Sequence, residues 1–201
     1  MGTELELKYA VDDLQLLDCI LTDREILNVL QERYRCIEMR TTYFDTQERQ
    51  LAARKWTLRL RQEDEESIVT FKTAAVGLER GEWEAHCELL EQALPQLAAQ
   101  GAPQELAGIS PEELIPVCGA QFKRIAGLLK FADGSSCELA ADIGELLNGG
   151  RRLPICELEL ERKEGSEQAM LALGQALQER FGIRPEPRST FVRAAALGED
   201  A

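Results

Sequence analysis

The sequence predicts a mixed α+β fold in which strands alternate charged and apolar residues and helices cover the apolar side. Two observations predict this fold. Several short segments alternate charged and apolar residues, and successive side chains on a strand point to opposite faces. Segments between them carry apolar residues at the spacing of one helix face. Strands with one apolar face need a second layer to bury it, and the helices can provide that layer.

The strand pattern is clearest near the two ends of the chain. Residues 4–8 read Glu-Leu-Glu-Leu-Lys, and residues 157–161 read Glu-Leu-Glu-Leu-Glu. On a strand, each segment presents one charged face and one apolar face. A solvated strand face normally mixes Thr, Ser, Gln and Lys, whereas these faces carry charged residues alone. We therefore expect both segments to be strands whose charged face has a special environment.

Four further segments follow the same rule: residues 58–61, 69–72, 80–84 and 138–142. The first places two arginines on one face, and the second ends on a lysine. The third alternates arginine with glutamates, and the fourth places Glu138 and Asp142 on one face. Because the arginine pair of residues 58–61 and most of the glutamates fall in separate strands, a barrel built from these strands could have one acidic region and one basic region.

Helix signals occupy the segments between the strands. Asp12 and Asp13 can cap the helix that follows them, and Asp23 can open a second helix. Residues 87–99 have a helical pattern, but Pro95 is expected to kink or restart the helix. The remaining signals are a helix start at residues 110–113, a hairpin turn at residues 132–135, and a helix at residues 166–181 that Gly182 ends.

Acidic and basic side chains on one concave surface indicate a particular class of ligand. Clustered carboxylates bind Mg²⁺ or Mn²⁺ through hard oxygen contacts. Arginine and lysine bind phosphate oxygens, so a site with both suits a metal-bound polyphosphate. The alternative is a set of exposed cross-strand salt bridges on an open sheet. The charge pattern alone leaves both interpretations open.

The order of the charged segments resembles the CYTH domains, also called triphosphate tunnel metalloenzymes. Residues 4–8 are similar to the ExExK signature of this family. The other similar blocks, in chain order, are residues 43–46, 58–61, 70–73, 80–84, 122–124, 138–142 and 156–161. The blocks span nearly the whole chain. The resemblance implies an eight-stranded antiparallel β-barrel that forms a charged tunnel, with helices packed outside.

The resemblance also implies metal-dependent hydrolysis of a triphosphate, with inorganic tripolyphosphate as the substrate and Mg²⁺ or Mn²⁺ as the cofactor. The cations expected to grip the phosphates are Lys8, Arg59, Arg61, Lys72, Arg80, Arg124 and Arg193. The carboxylates expected to bind metal are Glu4, Glu6, Glu159 and Glu161, with Glu157 as a further candidate. Those expected either to bind metal or to orient the cations are Glu82, Glu84, Glu138 and Asp142. A second ion could lower the pKa of a bound water and so make the nucleophile.

Two alternative functions stay open on the sequence. The family includes class IV adenylate cyclases and thiamine triphosphatases, which need a place for a base or a thiazole ring. Trp56 and Trp83 could stack on such a ring, or could pack under the outer helices instead. The other alternative is a polyphosphate- or nucleotide-binding module without turnover.

One motif departs from the family pattern and bears on that second alternative. The family's last motif is Ser-Lys followed by arginine and glycine, but residues 189–194 read Ser-Thr-Phe-Val-Arg-Ala. Thr190 replaces the lysine, so the tunnel is expected to have one cation fewer. If the lysine contacts phosphate, Thr190→Lys should tighten substrate binding. If Arg188 or Lys123 already supplies the charge, the added lysine would crowd an occupied site, and the substitution should have no effect or a harmful one.

Composition indicates a single soluble, cytoplasmic domain covering residues 1–201. The net charge of −13 argues against a nucleic-acid partner. No apolar stretch reaches the length of a membrane-spanning helix, and the start of the chain lacks signal-peptide features. The six cysteines have no CxxC spacing, which favours reduced thiols. The expected partner is a small triphosphate, and a homodimer stays open.

Overall fold

The structure, a computed structural model, describes residues 2–75 and 79–198, except the side chains of residues 2–4 and 79. The strands are β1 (Gly2–Ala10), β2 (Arg35–Thr46), β3 (Thr57–Glu63), β4 (Glu66–Lys72), β5 (Glu79–His86), β6 (Leu114–Lys130), β7 (Ser136–Asn148), β8 (Arg151–Glu164) and β9 (Arg184–Pro185). The helices are α1 (Leu14–Leu21), α2 (Arg24–Val29), α3 (Gln50–Ala53), α4 (Leu90–Ala99), α5 (Gln104–Ala107), α6 (Gln168–Phe181) and α7 (Thr190–Ala196).

The described strands form an antiparallel sheet whose pairing returns to its first strand. The order is β5-β4-β3-β2-β6-β7-β8-β1, and β5 pairs with β1 in addition. That last pairing is short and joins Gly2–Leu5 to Glu79–Glu82 in opposite directions. Eight strands therefore surround a common interior, as the fold prediction required. The two-residue strand β9, which was not predicted, lies beside β1.

The apolar face of the strands lies outside the circle of strands, under the helices. Leu5, Leu158 and Leu160 are buried in one cluster with side chains of α1, α2 and α6. Leu58 and Phe71 are buried in a second cluster with side chains of α4 and α5. Because side chains alternate along a strand, burying these leucines under helices turns the charged residues between them toward the interior.

A buried carboxylate explains the short helix α3, which was not predicted. Asp45 is fully buried at the end of β2. Its side chain accepts hydrogen bonds from the backbone N–H groups of Leu51 and Ala52, at 2.9 and 3.0 Å. These donors belong to the first turn of α3 and would otherwise lack partners. Residues 43–46, which resemble a family block, therefore also stabilise the start of α3 through Asp45.

Two of the predicted helices differ in detail from the structure. The prediction that Pro95 interrupts the fourth helix was wrong, since α4 continues through it. A proline in this position costs one backbone hydrogen bond, but Leu94 and Leu97 are buried on either side of it and hold the helix against the strands. The last long helix begins at Gln168, whose N–H donates to the hydroxyl of Ser166.

Gly144 on β7 provides a test of how tightly β6 and β7 approach each other. A Cβ at this position would lie 2.2 Å from the carbonyl oxygen of Gln121 and 2.5 Å from Cα of Phe122. Both are backbone atoms that cannot move away cheaply. We predict that Gly144→Ala lowers the free energy of unfolding by about 2 kcal/mol in urea denaturation.

Gly108 supplies the matched control for this substitution. It has φ of −79°, and an added Cβ would meet its nearest neighbour at 3.5 Å. Gly108→Ala should therefore leave the unfolding midpoint within experimental error. Equal effects of the two substitutions would contradict the packing described for β6 and β7.

Candidate functional site

A cavity of about 280 Å³ lies in the interior of the strand circle and is lined mainly by charged side chains. Of the fifteen predicted site residues whose side chains the structure describes, thirteen line it. They are Glu6, Lys8, Arg59, Arg61, Lys72, Arg80, Glu82, Glu84, Arg124, Glu138, Asp142, Glu159 and Glu161. The structure thus brings together residues from seven strands that are far apart in the sequence.

Strand register explains why the carboxylates gather on one side of the cavity. Glu161 on β8 is paired with Glu6 on β1 and with Glu138 on β7. Directly opposed residues of neighbouring antiparallel strands point to the same face. Glu138, Glu161 and Glu6 consequently form a row of three acidic side chains across the sheet, here called the acidic row. Two residues further along β1 and β8, Lys8 is paired with Glu159.

The innermost charges form a hydrogen-bonded cluster centred on Glu159. Lys8 Nζ lies 2.9 Å from one carboxylate oxygen of Glu159, and Arg124 donates to the other at 2.6 Å. Arg124 also donates two hydrogen bonds to Asp142, at 2.8 and 2.7 Å. Each of these four side chains is at most 10% exposed. Buried charges of this kind need partners of opposite charge. In this cluster, each acidic side chain binds at least one basic side chain, and each basic side chain binds at least one acidic side chain.

The pKa values of Lys8 and Glu159 move apart as a result. Burial alone would lower the pKa of Lys8, but the nearby carboxylates of Glu159, Glu6 and Glu157 outweigh burial and raise it. Burial would raise the pKa of Glu159, but Lys8 and Arg124 hold it well below its usual range. Both groups therefore stay charged at neutral pH.

Basic side chains on β3 and β4 line the opposite wall. Arg61 is buried, and its Nε donates to the hydroxyl of Thr41 at 3.3 Å. Burial and the neighbouring cations Arg59 and Arg124 lower the pKa of Arg61. Lys72 on β4 lies 3.0 Å from Glu82 on β5. Crowded guanidinium groups repel each other, so an anion bound between them would be stabilised.

Two predicted residues with described side chains, Glu157 and Arg193, do not line the cavity. Glu157 is 2% exposed and bonds to Arg193 on α7. Arg193 also lies 3.7 Å from Glu186. Both charges are thus paired with opposite charges beside the cavity, and the roles of Glu157 in metal binding and of Arg193 in phosphate binding stay predictions. The side chain of Glu4 lies outside the described part of the chain; its backbone pairs with that of Arg80.

The cavity also has lining residues that the sequence reasoning did not assign to the site. They are Arg35, Ile37, Met39, Tyr43, Thr57, Glu63, Ile68, Phe122, Ala126, Lys163, Ser189 and Phe191. Lys163 could have been found, because it continues the alternation of residues 157–161 by one more step. Arg35 shares its strand face with Ile37 and Met39, so no charge alternation on that face indicated it.

Thr190 lies at the cavity, where its hydroxyl accepts a hydrogen bond from Lys8 Nζ at 3.2 Å. Neither alternative cation occupies this place. Arg188 is 63% exposed and binds Glu186, and Lys123 is 50% exposed and binds Glu38. Ser189 caps α7 by accepting from the N–H of Val192, which fixes the start of the helix that carries Thr190.

The two tryptophans pack on the outside of the strands. Phe71 lies between them, with ring centroids 5.3 Å from Trp56 and 5.8 Å from Trp83. All three belong to the core cluster under α4 and α5. Of the two interpretations left open by the sequence, packing under the helices is therefore the correct one.

The donor atoms of the acidic side suit a hard divalent cation. They are carboxylate oxygens, which Mg²⁺ and Mn²⁺ prefer. Among the described side chains, no three acidic, histidine or cysteine groups converge as a ready-made metal site. Magnesium often takes only one or two protein carboxylates and completes its shell with phosphate oxygens and water. Glu6 and Glu161, paired across β1 and β8, fit that mode.

Comparison with known proteins assigns the family. The CYTH domain model matches residues 2–194, so the chain belongs to the CYTH domain family. An inorganic triphosphatase from Haemophilus influenzae is 33% identical over 166 residues, which cover 78% of this chain and 45% of that protein. The chain thus spans about half the length of this curated relative.

Solved structures share the fold. A proposed adenylyl cyclase from Hippeastrum with a dominant triphosphatase activity superposes with a TM-score of 0.61 at 14% identity, over 98% of this chain and 97% of that one. A proposed adenylate cyclase from Bacillus halodurans superposes with a TM-score of 0.59 at 19% identity, and the match covers 94% of this chain and 96% of that one.

Within residues 2–75 and 79–198, no helix has the length and apolar character needed to cross a membrane.

The buried ion cluster predicts a pH-dependent stability effect at Glu159. The pKa of Glu159 is lower in the folded state than in the unfolded state, where it is 4.5. Ionised Glu159 therefore stabilises the fold at pH values above 4.5, and this contribution is lost as the pH falls below 4.5. Glu159→Gln should lower the free energy of unfolding at pH 7 by about 3 kcal/mol.

Urea denaturation as a function of pH would check this effect. The difference between wild type and Glu159→Gln should shrink steadily as the pH falls below 4.5. A difference that is constant from pH 7 to pH 3 would show that packing, rather than charge, accounts for the loss.

Proposed function

We propose that this protein hydrolyses a triphosphate in the cavity, with inorganic tripolyphosphate as the substrate and Mg²⁺ or Mn²⁺ as the cofactor. The observation that carries the proposal is that the acidic row and the basic side chains Arg59, Arg61 and Lys72 line one cavity. A linear triphosphate is the ligand class that needs both, since its phosphates attract the cations and its bound metal attracts the carboxylates. The likeness to the Haemophilus influenzae inorganic triphosphatase supports this substrate.

The proposed roles follow from the position of each side chain. Arg59, Arg61, Lys72 and Arg124 would hold the phosphate chain and stabilise charge that develops on it during phosphoryl transfer. Glu6 and Glu161 would hold the metal. When bound, the metal would neutralise phosphate charge and activate water. Glu159 and Asp142 would orient Lys8 and Arg124, which they already contact.

The same proposal covers the organisation and location of the chain. Residues 1–201 would form one CYTH domain, because the matched segment includes nearly all of them. The expected location is the cytoplasm, where its six cysteines would stay reduced.

Phosphate release from tripolyphosphate, ATP and thiamine triphosphate, with and without Mg²⁺ or Mn²⁺, tests the function. We expect tripolyphosphate to be the best substrate and turnover to require metal. Formation of cyclic AMP and pyrophosphate from ATP, without phosphate release, would show that the protein is a cyclase instead. Metal-dependent binding of tripolyphosphate without turnover would show that the protein is a binding module without enzymatic activity.

Glu6→Gln tests the metal assignment. The amide keeps the shape of the side chain but loses the charged oxygen ligand, so we expect kcat/KM for tripolyphosphate to fall about 100-fold or more. Circular dichroism should show an unchanged fold. Glu38→Gln is the matched control, because Glu38 is 71% exposed and binds Lys123 away from the cavity. Wild-type turnover by Glu6→Gln would remove Glu6 from the metal site.

Thr190→Lys tests whether the cavity lacks a cation. The new ammonium would lie next to Lys8 and add a charge for the substrate, so we expect kcat/KM to rise about tenfold, or ~1.4 kcal/mol. Arg188→Ala should leave the kinetics unchanged, because Arg188 binds Glu186 outside the cavity lining. An unchanged Thr190→Lys variant together with an impaired Arg188→Ala variant would show that Arg188 supplies the charge.

A further inference from the structure

Lys163 occupies a distinctive place in the cavity that the proposed reaction does not use. It lies on β8 two residues after Glu161, on the same face of the strand, and lines the cavity. Its Nζ is 2.9 Å from an oxygen of Glu161 and 3.9 Å from an oxygen of Glu138. The ammonium group therefore lies between two neighbouring members of the acidic row.

The acidic row needs a cation whether or not a metal is present. Glu138, Glu161 and Glu6 are opposed residues of adjacent strands, and like charges opposed in this way repel each other. Lys8 and Arg80 lie 3.4 and 4.0 Å from Glu6 and offset its charge at one end of the row. At the other end, Lys163 pairs with Glu161 at 2.9 Å, and both Lys163 and the more exposed Arg35 lie 3.9 Å from Glu138.

Lys163 is also able to leave this position. Its side chain is 36% exposed, compared with 9% for Lys8. A lysine side chain has a flexible four-carbon stem, so its ammonium can move out into water at low cost. Lys8 is different, because Glu159 and Thr190 both bind its ammonium inside the cavity.

We propose that Lys163 is a tethered counter-ion that competes with the divalent metal for Glu161 and Glu138. In the metal-free protein, its ammonium compensates the two carboxylates. A metal that binds Glu161 displaces it toward solvent. Lys163 thereby weakens metal binding in the absence of substrate and helps to couple metal binding to the arrival of a triphosphate, whose oxygens supply the remaining ligands. This inference rests on the proposed function for the identity of the metal.

Isothermal titration calorimetry of the metal-free protein with Mn²⁺, in the absence of any phosphate compound, tests the proposal. Lys163→Gln removes the charge and keeps a polar side chain that can donate hydrogen bonds. We expect it to bind Mn²⁺ about tenfold more tightly than wild type. Lys163→Arg keeps the charge and should bind Mn²⁺ within about twofold of wild type.

Two further measurements separate this role from general effects of charge and stability. Lys123→Gln removes an equal charge from the pair with Glu38 outside the cavity lining, and it should leave Mn²⁺ affinity unchanged. The rise in Tm caused by saturating Mn²⁺ should be larger in Lys163→Gln than in wild type, because Mn²⁺ then replaces a missing counter-ion.

An unchanged or weaker Mn²⁺ affinity in Lys163→Gln would overturn the proposal, as would an equal gain in Lys123→Gln. The hydrolysis assay is independent of these results. Wild-type turnover of tripolyphosphate together with unchanged affinity in Lys163→Gln would reject the counter-ion alone. Absence of turnover together with the expected affinity pattern would reject the triphosphatase and retain the competition for metal.

Discussion

Arg124, Glu159, Lys8 and Asp142 bind one another in the interior of the strand circle, and the rest of the structure depends on this ion cluster. Removing such groups from water costs several kcal/mol per ion, which their mutual attraction offsets only when the geometry is good. Here Arg124 binds two carboxylates and Glu159 binds two cations, each at hydrogen-bond distance. A protein that needed only stability could fill the same space with apolar side chains at similar or lower cost. The cluster is better explained as the support of a site that binds charged ligands.

The fold makes this interior possible by placing its apolar residues outside the strands. Leucines of β1, β3 and β8 are buried under helices, and the charged residues between them face inward. The arrangement reverses the usual one, in which a small barrel fills its interior with apolar side chains. The helices are therefore essential, because without them the leucine faces would be exposed to solvent.

Much of the site could be predicted because strand alternation is a local property. Glu6, Lys8, Arg59, Arg61, Glu159 and Glu161 were assigned to one face from their spacing, and resemblance to the CYTH family supplied the shared interior. Alternation does not show how deep a residue lies or what fills the ends of the cavity. Glu157 has the same parity as Glu159, yet Arg193 from α7 covers it. The contact between Lys8 and Thr190 joins residues at opposite ends of the described chain, so no local pattern could indicate it. Lys163 shares the parity of Glu161, but parity alone does not show that its ammonium pairs with Glu161 and Glu138.

The most direct test of the account is a crystal structure of the protein with tripolyphosphate and Mn²⁺, in which the anomalous signal of manganese locates the metal. The account predicts three phosphorus atoms inside the cavity, with their oxygens bound by Arg59, Arg61, Lys72 and Arg124 and with manganese bound by Glu6 and Glu161. Tripolyphosphate bound on the outer surface, or manganese bound away from both glutamates, would contradict it.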